Sequence, residues 1–110
     1  MTAHDVYIGE LGPGEALDWG GDPHTGNLPR RISPLVFAQG AHDRLVGLIE
    51  SGKLEGRKTD WGAYAARVSV TEAGAFLRAC YDPAPLPREL EEFLAAMDAM
   101  RRYALVACEL

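Results

Sequence analysis

The chain is poor in cysteine, with Cys80 and Cys108 far apart and each within an apolar run. A secreted disulfide scaffold would be much denser in cysteine, so both are expected to be free thiols. The first residues, MTAHDVYIGEL, lack the basic and apolar regions of a signal peptide. No apolar run approaches the roughly 18 residues that span a bilayer. These absences predict a cytoplasmic protein with no membrane partner.

Basic charge is also scarce. The chain has 11 lysines and arginines against 16 aspartates and glutamates, which gives a net charge of −5 at pH 7. Nucleic-acid-binding domains usually present a basic face, and the nearest candidates here are only two short pairs, Arg30–Arg31 and Arg57–Lys58. We therefore expect no nucleic-acid partner. A mildly acidic surface favours solubility and suits a basic partner protein without specifying one.

Residue spacings typical of metal and catalytic sites are absent as well. The histidines are His4, His24 and His42. No two are four residues apart, as helix-borne metal ligands would be, and no Cys-x-x-Cys pair occurs. The hydroxyl groups considered as nucleophiles are those of Ser33, Ser51, Ser69, Thr25 and Thr59. None lies in a Gly-x-Ser-x-Gly elbow. The sequence thus predicts no metal and no cofactor, and it argues against an enzyme.

What the chain does contain is the composition of a globular domain, with 47% hydrophobic residues and a length typical of one domain. Apolar periodicity, with glycine and proline stops, predicts its elements. Strands are predicted at 5–11, 61–70 and 103–110, and helices at 41–52, 71–81 and 88–100. The segment 33–39 suits a strand edge or a first helical turn equally. We expect an α+β fold over 1–110, a single compact domain whose small sheet of three or four strands is packed on one face by about three helices.

Local patterns also predict element ends and faces. Ser69 and Glu72 form a capping-box pattern at the start of the second helix. In the strand before it, the expected inward residues are Ala66, Val68 and Val70. In the second and third helices they are Ala73, Phe76, Leu77, Cys80, Leu90, Phe93, Leu94, Met97 and Met100, and the outward acids are Glu89, Glu91, Glu92 and Asp98. Arg101 and Arg102 follow the third helix, where positive charge favours a helix C-terminus. The last segment, 103–110, reads alternatively as an extension of that helix.

The stretch LDWGGDPHTGNLPRR, residues 17–31, holds most of the candidate functional side chains. It belongs to a polar region, 12–31, without helical or strand periodicity, and such length usually marks a functional or mobile loop. Tryptophan and arginine often dominate interface energetics, so Trp19, Arg30 and Arg31 are predicted to bind a partner. Trp61, in the second of two Asp-Trp-Gly motifs, is expected to anchor a loop and is a further binding candidate.

The same loop allows a catalytic interpretation. His24 would act as a general base, the Asp22 carboxylate would orient its ring, and Arg30 or Arg31 would hold an anionic substrate. This alternative places a pocket for a small ligand under the 12–31 loop.

These observations together predict a small, acidic, non-catalytic protein that binds another macromolecule. An inhibitor, an immunity or antitoxin-like protein, or an accessory subunit would fit. The alternative is a small-ligand-binding protein or an enzyme that uses His24 as its base. A homodimer formed by edge-to-edge pairing of strand 103–110 is compatible with both.

Overall fold

The computed structural model describes residues 4–11, 30–36, 38, 40–58 and 63–109. The strands are β1 (His4–Gly9), β2 (Glu55–Lys58), β3 (Tyr64–Val68) and β4 (Tyr103–Glu109), and the helices are α1 (Ala41–Glu50), α2 (Val70–Tyr81) and α3 (Arg88–Ala96). The strands form one antiparallel sheet in the order β1-β4-β3-β2. The predicted α+β fold, a small sheet with three helices, is confirmed.

The three helices pack on one face of the sheet. Each contributes a leucine that is almost fully buried, and these are Leu45, Leu77 and Leu90. Ile8 of β1 and Leu105 of β4 meet them from the sheet. Full burial of one such side chain contributes about 1.5–3 kcal/mol, so this layer supplies much of the driving force for folding.

The opposite face of the sheet is apolar as well. Tyr7, Ala65, Ala104 and Val106 form a second buried cluster there. Because Leu105 and Val106 point to opposite faces and are both fully buried, β4 is covered on its two sides. The uninterrupted apolar run YALVA at 103–107 is typical of such a doubly buried strand.

The start of α2 and the end of α1 follow the predicted local signals. At the start of α2 the Glu72 N–H donates to Ser69 Oγ over 3.1 Å, and the Ser69 N–H donates to Glu72 Oε1 over 2.9 Å. The capping box is therefore confirmed. Helix α1 ends as predicted just before Gly52, whose φ of 79° is a left-handed conformation that suits glycine.

Residues 30–36, which join the end of the polar loop to the start of the ambiguous segment 33–39, run extended along the outer edge of β1. Isolated bridges join Val6 to Val36 and Gly9 to Arg31. The buried hydroxyl of Ser33 accepts the Ile8 N–H over 2.8 Å. This segment thereby covers the β1 edge of the sheet, although it does not form a full strand itself.

The elements differ from the prediction in four respects. The edge strand β2 was not predicted, because its sequence EGRK is short and has no apolar alternation. Val70 does not extend β3, since the Ser69 cap already begins α2 there. Met100 is not inward but 85% exposed, because α3 ends at Ala96 and the chain then turns. For the same reason Arg101 and Arg102 lie beyond the helix and do not sit in its last turn.

β4 lies inside the sheet, whereas a homodimer formed by edge-to-edge pairing requires this strand at an edge. β4 pairs with β1 on one side and with β3 on the other. Its backbone hydrogen-bonding groups are therefore largely used within the sheet, and β4 is not the edge strand through which such a homodimer was expected to pair. The strand assignment itself is confirmed, against the alternative of a helix extension.

No helix in the described part of the chain combines the length and apolarity needed to cross a membrane.

Candidate functional site

The two predicted binding arginines lie where β1 ends. The Glu10 N–H donates to the Arg30 carbonyl over 2.9 Å, and the Ile32 N–H donates to the Ile8 carbonyl over 3.0 Å. These bonds hold the backbone on both sides of Arg31. The remaining candidates of the polar loop, Trp19, Asp22 and His24, lie outside the described residues, as does Trp61.

Arg30 is engaged by a carboxylate. Its Nε donates to Glu10 Oε2 over 3.1 Å and its Nη2 to Glu10 Oε1 over 2.7 Å, in a two-point contact that matches the fork of a guanidinium. The hydrogen bonds from Arg30 lower the pKa of the Glu10 carboxyl, and the charges of Arg30 and Arg101 lower it further. Both side chains are well exposed to solvent.

Arg31 instead lines a groove of about 290 Å³ between the 30–36 segment and the start of α3. The other lining residues are Pro34, Leu35, Tyr81, Pro87, Glu89 and Leu90. Arg31 is exposed, and it forms no ion pair with another described residue. The groove therefore has mostly apolar walls, a cation at one rim and the carboxylate of Glu89 on another side.

A second pair of arginines comes to the same end of the sheet. In the β1–β4 register Gly9 faces Ala104, so continuing it places Tyr103 beside Glu10 and Arg102 beside Leu11. The charge of Arg101 acts on the Glu10 carboxyl, which brings Arg101 to the same end of the sheet. The Arg101 guanidinium carbon lies 5.6 Å from the centroid of the Tyr103 ring, within the range of a cation–π contact. We call Arg30, Arg31, Arg101 and Arg102 the arginine corner. All four side chains are exposed.

The turn before β4 is held by hydrogen bonds that keep the second arginine pair in place. The Asp98 N–H donates to Tyr103 Oη, the Met100 N–H donates to Asp98 Oδ1, each over 2.9 Å, and the Arg101 N–H donates to the Asp98 carbonyl over 3.1 Å. Arg101 and Arg102 were not predicted as site residues. The available signal was their identity as a second Arg-Arg pair, but the register that places them near Arg30 is not readable from sequence.

A polar cluster lies at the other end of the sheet, against α1. The ring centroids of His42 and Tyr64 are 6.4 Å apart in an edge-to-face arrangement. Tyr64 Oη donates to Glu50 Oε1 over 3.2 Å, and Lys58 Nζ lies 5.7 Å from the Tyr64 ring centroid. Since His42 and Glu50 lie in the first and last turns of α1, these contacts fix the helix on β3. Their evident effect is to position α1.

The serine hydroxyl groups considered as nucleophiles are used by the backbone. Ser33 Oγ accepts the Ile8 N–H and donates to the Pro34 carbonyl over 2.9 Å. Ser51 Oγ donates to the Leu48 carbonyl, and Ser69 caps α2. Each hydroxyl therefore has a structural role. Among the residues that the structure describes, no three histidine, cysteine or acidic side chains converge as metal ligands.

No protein-family model matches the chain, and neither a curated protein nor a solved structure shows significant similarity to it.

Proposed function

We propose that this is a non-catalytic protein that binds another protein through the groove beside Arg31. The observation that carries the proposal is the combination of an open, mostly apolar groove with an arginine at its rim that no described carboxylate neutralises. Arginine and tyrosine are the side chains that most often dominate protein interfaces, and Arg31 and Tyr81 both line this groove.

The volume of the groove favours a protein partner over a small ligand. Pockets for small molecules usually enclose about 300–1,000 Å³ and bury most of the ligand. At about 290 Å³, and open on one side, this groove lies at the low end of that range. A protruding side chain of a partner fits it without needing full enclosure. An inhibitor, an immunity or antitoxin-like protein and an accessory subunit are the roles that suit such a small binder.

The alternative function, a small-ligand-binding protein or an enzyme, keeps one supporting observation. Arg31 does line a cavity, as a residue that holds an anionic substrate would. In that alternative His24 is the general base and Asp22 orients it.

Affinity capture from lysate of the source organism, with three forms of the full chain, tests the proposal. The forms are the wild type, Arg31→Glu, and Arg57→Glu as a control with the same charge change on the exposed strand β2. We expect one protein at near-stoichiometric yield with the wild type and the control, and its loss with Arg31→Glu. Equal recovery by all three forms, or no specific recovery by any, contradicts the proposal. Activity or ligand binding that is lost in His24→Ala would then support the alternative.

A further inference from the structure

Positive charge is concentrated at one corner of a chain that is acidic overall. The arginine corner holds four of the chain's 11 basic side chains, although the net charge is −5. Within the corner the Glu10 carboxylate is taken up by Arg30. Asp98 lies in the turn that carries Arg101, and its carboxylate accepts the Met100 N–H. Among the described residues, the four arginines outnumber the nearby carboxylates of Glu10, Asp98 and Glu89, so a local excess of positive charge remains.

The corner has the dimensions of a short extended segment. Gly9 is bridged to Arg31 on one side and paired with Ala104 on the other. Two inter-strand spacings of about 4.8 Å separate these flanking chains, so the corner is roughly 10 Å wide. An extended chain advances about 3.3 Å per residue. Three or four residues of a bound segment would thus pass from Arg31 to Arg102.

The corner is continuous with the groove, because Arg31 belongs to both. Pro34, Leu35 and Leu90 line the groove together with Arg31 and give it apolar walls. Met100, 85% exposed, adds an apolar side chain next to Arg101. A ligand matching this surface carries negative charge and an apolar side chain within a few residues of each other.

We propose that the arginine corner binds an extended acidic segment of the partner protein, whose carboxylates pair with Arg31 and Arg102 and whose apolar side chain enters the groove. This inference rests on the proposed function and names the chemistry of the partner. Guanidinium groups suit carboxylates because their planar forks form two parallel hydrogen bonds, as Arg30 already does with Glu10.

The surrounding charges favour a short acidic peptide over a nucleic acid. Glu89 lines the same groove, and Glu91 and Glu92 are exposed further along α3. A polyanion that continues past the corner would meet these carboxylates, whereas a peptide with charge on a few residues would not. Negative charges elsewhere on the molecule act only weakly at the corner, because salt screens them beyond the Debye length of about 8–10 Å at physiological ionic strength. The arginine corner itself spans about one such length, so its own charges dominate there.

A two-dimensional NMR titration of the full, ¹⁵N-labelled chain with synthetic peptides tests the inference. The first probe is acetyl-Glu-Asp-Leu-Asp-Glu-amide. The matched probes replace its leucine by serine or all its acids by lysine, and an oligothymidylate is the nucleic-acid probe. We expect the first peptide to shift the amides of 30–35 and 100–103 with a Kd of about 1 mM or tighter. The serine peptide should bind several-fold more weakly and the lysine peptide should cause no shift.

Variants of the chain assign the binding to named residues. Arg31→Glu and Arg102→Glu are each expected to weaken the acidic peptide tenfold or more, and Arg57→Glu to leave it unchanged. All three residues are exposed, so circular dichroism should show an unaltered fold. No shift at the corner with the acidic peptide, equal shifts with the lysine peptide, or tighter binding of oligothymidylate would overturn the inference.

The two proposals fail separately. If a partner is captured only when Arg31 is present but the acidic peptide causes no shift, the proposed function stands. The chemistry assigned to the partner is then rejected. If the acidic peptide binds at the corner but no protein is captured from lysate, the affinity of the corner for acidic segments stands and the proposed function is rejected.

Glu10 offers a variant that should increase binding. Glu10→Gln removes the carboxylate that engages Arg30 and so adds one unneutralised guanidinium to the corner. We expect the acidic peptide to bind two- to fivefold more tightly to this variant than to the wild type in the same NMR titration. Unchanged or weaker binding would show that Arg30 does not contribute.

Discussion

Hydrogen bonds hold the segment that carries Arg31 to the sheet. One of them is buried, and Ser33 provides it. Ser33 is 4% exposed, and its Oγ both accepts the Ile8 N–H and donates to the Pro34 carbonyl. The Ile8 carbonyl in turn accepts the N–H groups of Ile32 and Ser33. The hydroxyl of Ser33 therefore fixes the segment that carries Arg31, which explains why a serine lies at this buried position.

Replacing Ser33 with alanine should destabilise the protein by about 1–3 kcal/mol, because the buried Ile8 N–H loses its acceptor. Urea denaturation followed by circular dichroism measures the change. Ser51→Ala is the control, since that hydroxyl is exposed, and it should stay within about 0.5 kcal/mol. Equal stabilities of the two variants would mean that the Ile8 N–H has another acceptor.

The Glu10–Arg30 pair should be visible in the titration of the Glu10 carboxyl. Since Arg30 lowers the pKa of Glu10 in the folded protein, the pair stabilises the fold above the pKa of an unfolded glutamate. This contribution disappears as the pH falls through the lowered pKa. NMR of the side-chain carboxyl carbon should give a midpoint below the ordinary glutamate value, and Arg30→Ala should raise it. A midpoint unaffected by Arg30→Ala would contradict the hydrogen-bonded geometry.

At the scale of elements, the two edges of the sheet are protected in different ways. The outer edge of β1 is covered by residues 30–36, and β2 is only four residues long with charged, exposed side chains at three of its positions. Short and charged edge strands resist pairing with other chains. Side chains, and not an open strand, are therefore expected to make the contact with a partner.

Two glycines on either side of the α1–β2 connection should respond oppositely to alanine. At Gly56 a Cβ would lie 2.6 Å from the Ala65 carbonyl oxygen and 2.9 Å from Ile49 Cγ1, so Gly56→Ala should cost about 1–3 kcal/mol. At Gly47, inside α1, a Cβ meets nothing within 4 Å. Gly47→Ala should therefore stabilise by about 0.5–1 kcal/mol through helix propensity. Thermal denaturation of the two variants checks both signs, and a stabilising Gly56→Ala would rule out the close approach of α1 to β2.

For the whole molecule, burial on both faces of the sheet implies two apolar layers that each stabilise the fold. Leu105 faces the helices and Val106 faces away, and both are fully buried. We expect Leu105→Ala to cost about 2–5 kcal/mol and Val106→Ala about 2 kcal/mol. The exposed Thr71→Ala serves as the control. Denaturant unfolding measures all three, and a value near zero for Val106→Ala would mean that the second layer contributes little.

The fold class was predictable because its signals are local. The Ser69 capping box, the glycine stop at Gly52 and the apolar run of β4 each depend on a few neighbouring residues. Strand β2 was not predictable, because its place in the sheet comes from pairing with β3 and not from its own sequence. Met100 was misassigned since apolar spacing continues past Ala96, where the helix ends.

The site was predictable only in part, for a similar reason. Arg30 and Arg31 could be selected by residue type. The groove depends on Tyr81 and Leu90, more than forty residues further along the chain, and the corner depends on the pairing of β1 with β4. Such long-range register is not encoded in any short pattern.

The central position of β4 has a consequence for how the protein is made. During synthesis β1, β2 and β3 are translated before β4, the strand that joins β1 to β3. Until residues 103–109 emerge, the sides of β1 and β3 that face each other across the gap have no partner strand. Pairing between sequence-distant strands is also slow to form. The sheet therefore closes only when β4 is present, and strand edges that are paired in the folded protein stay exposed until then.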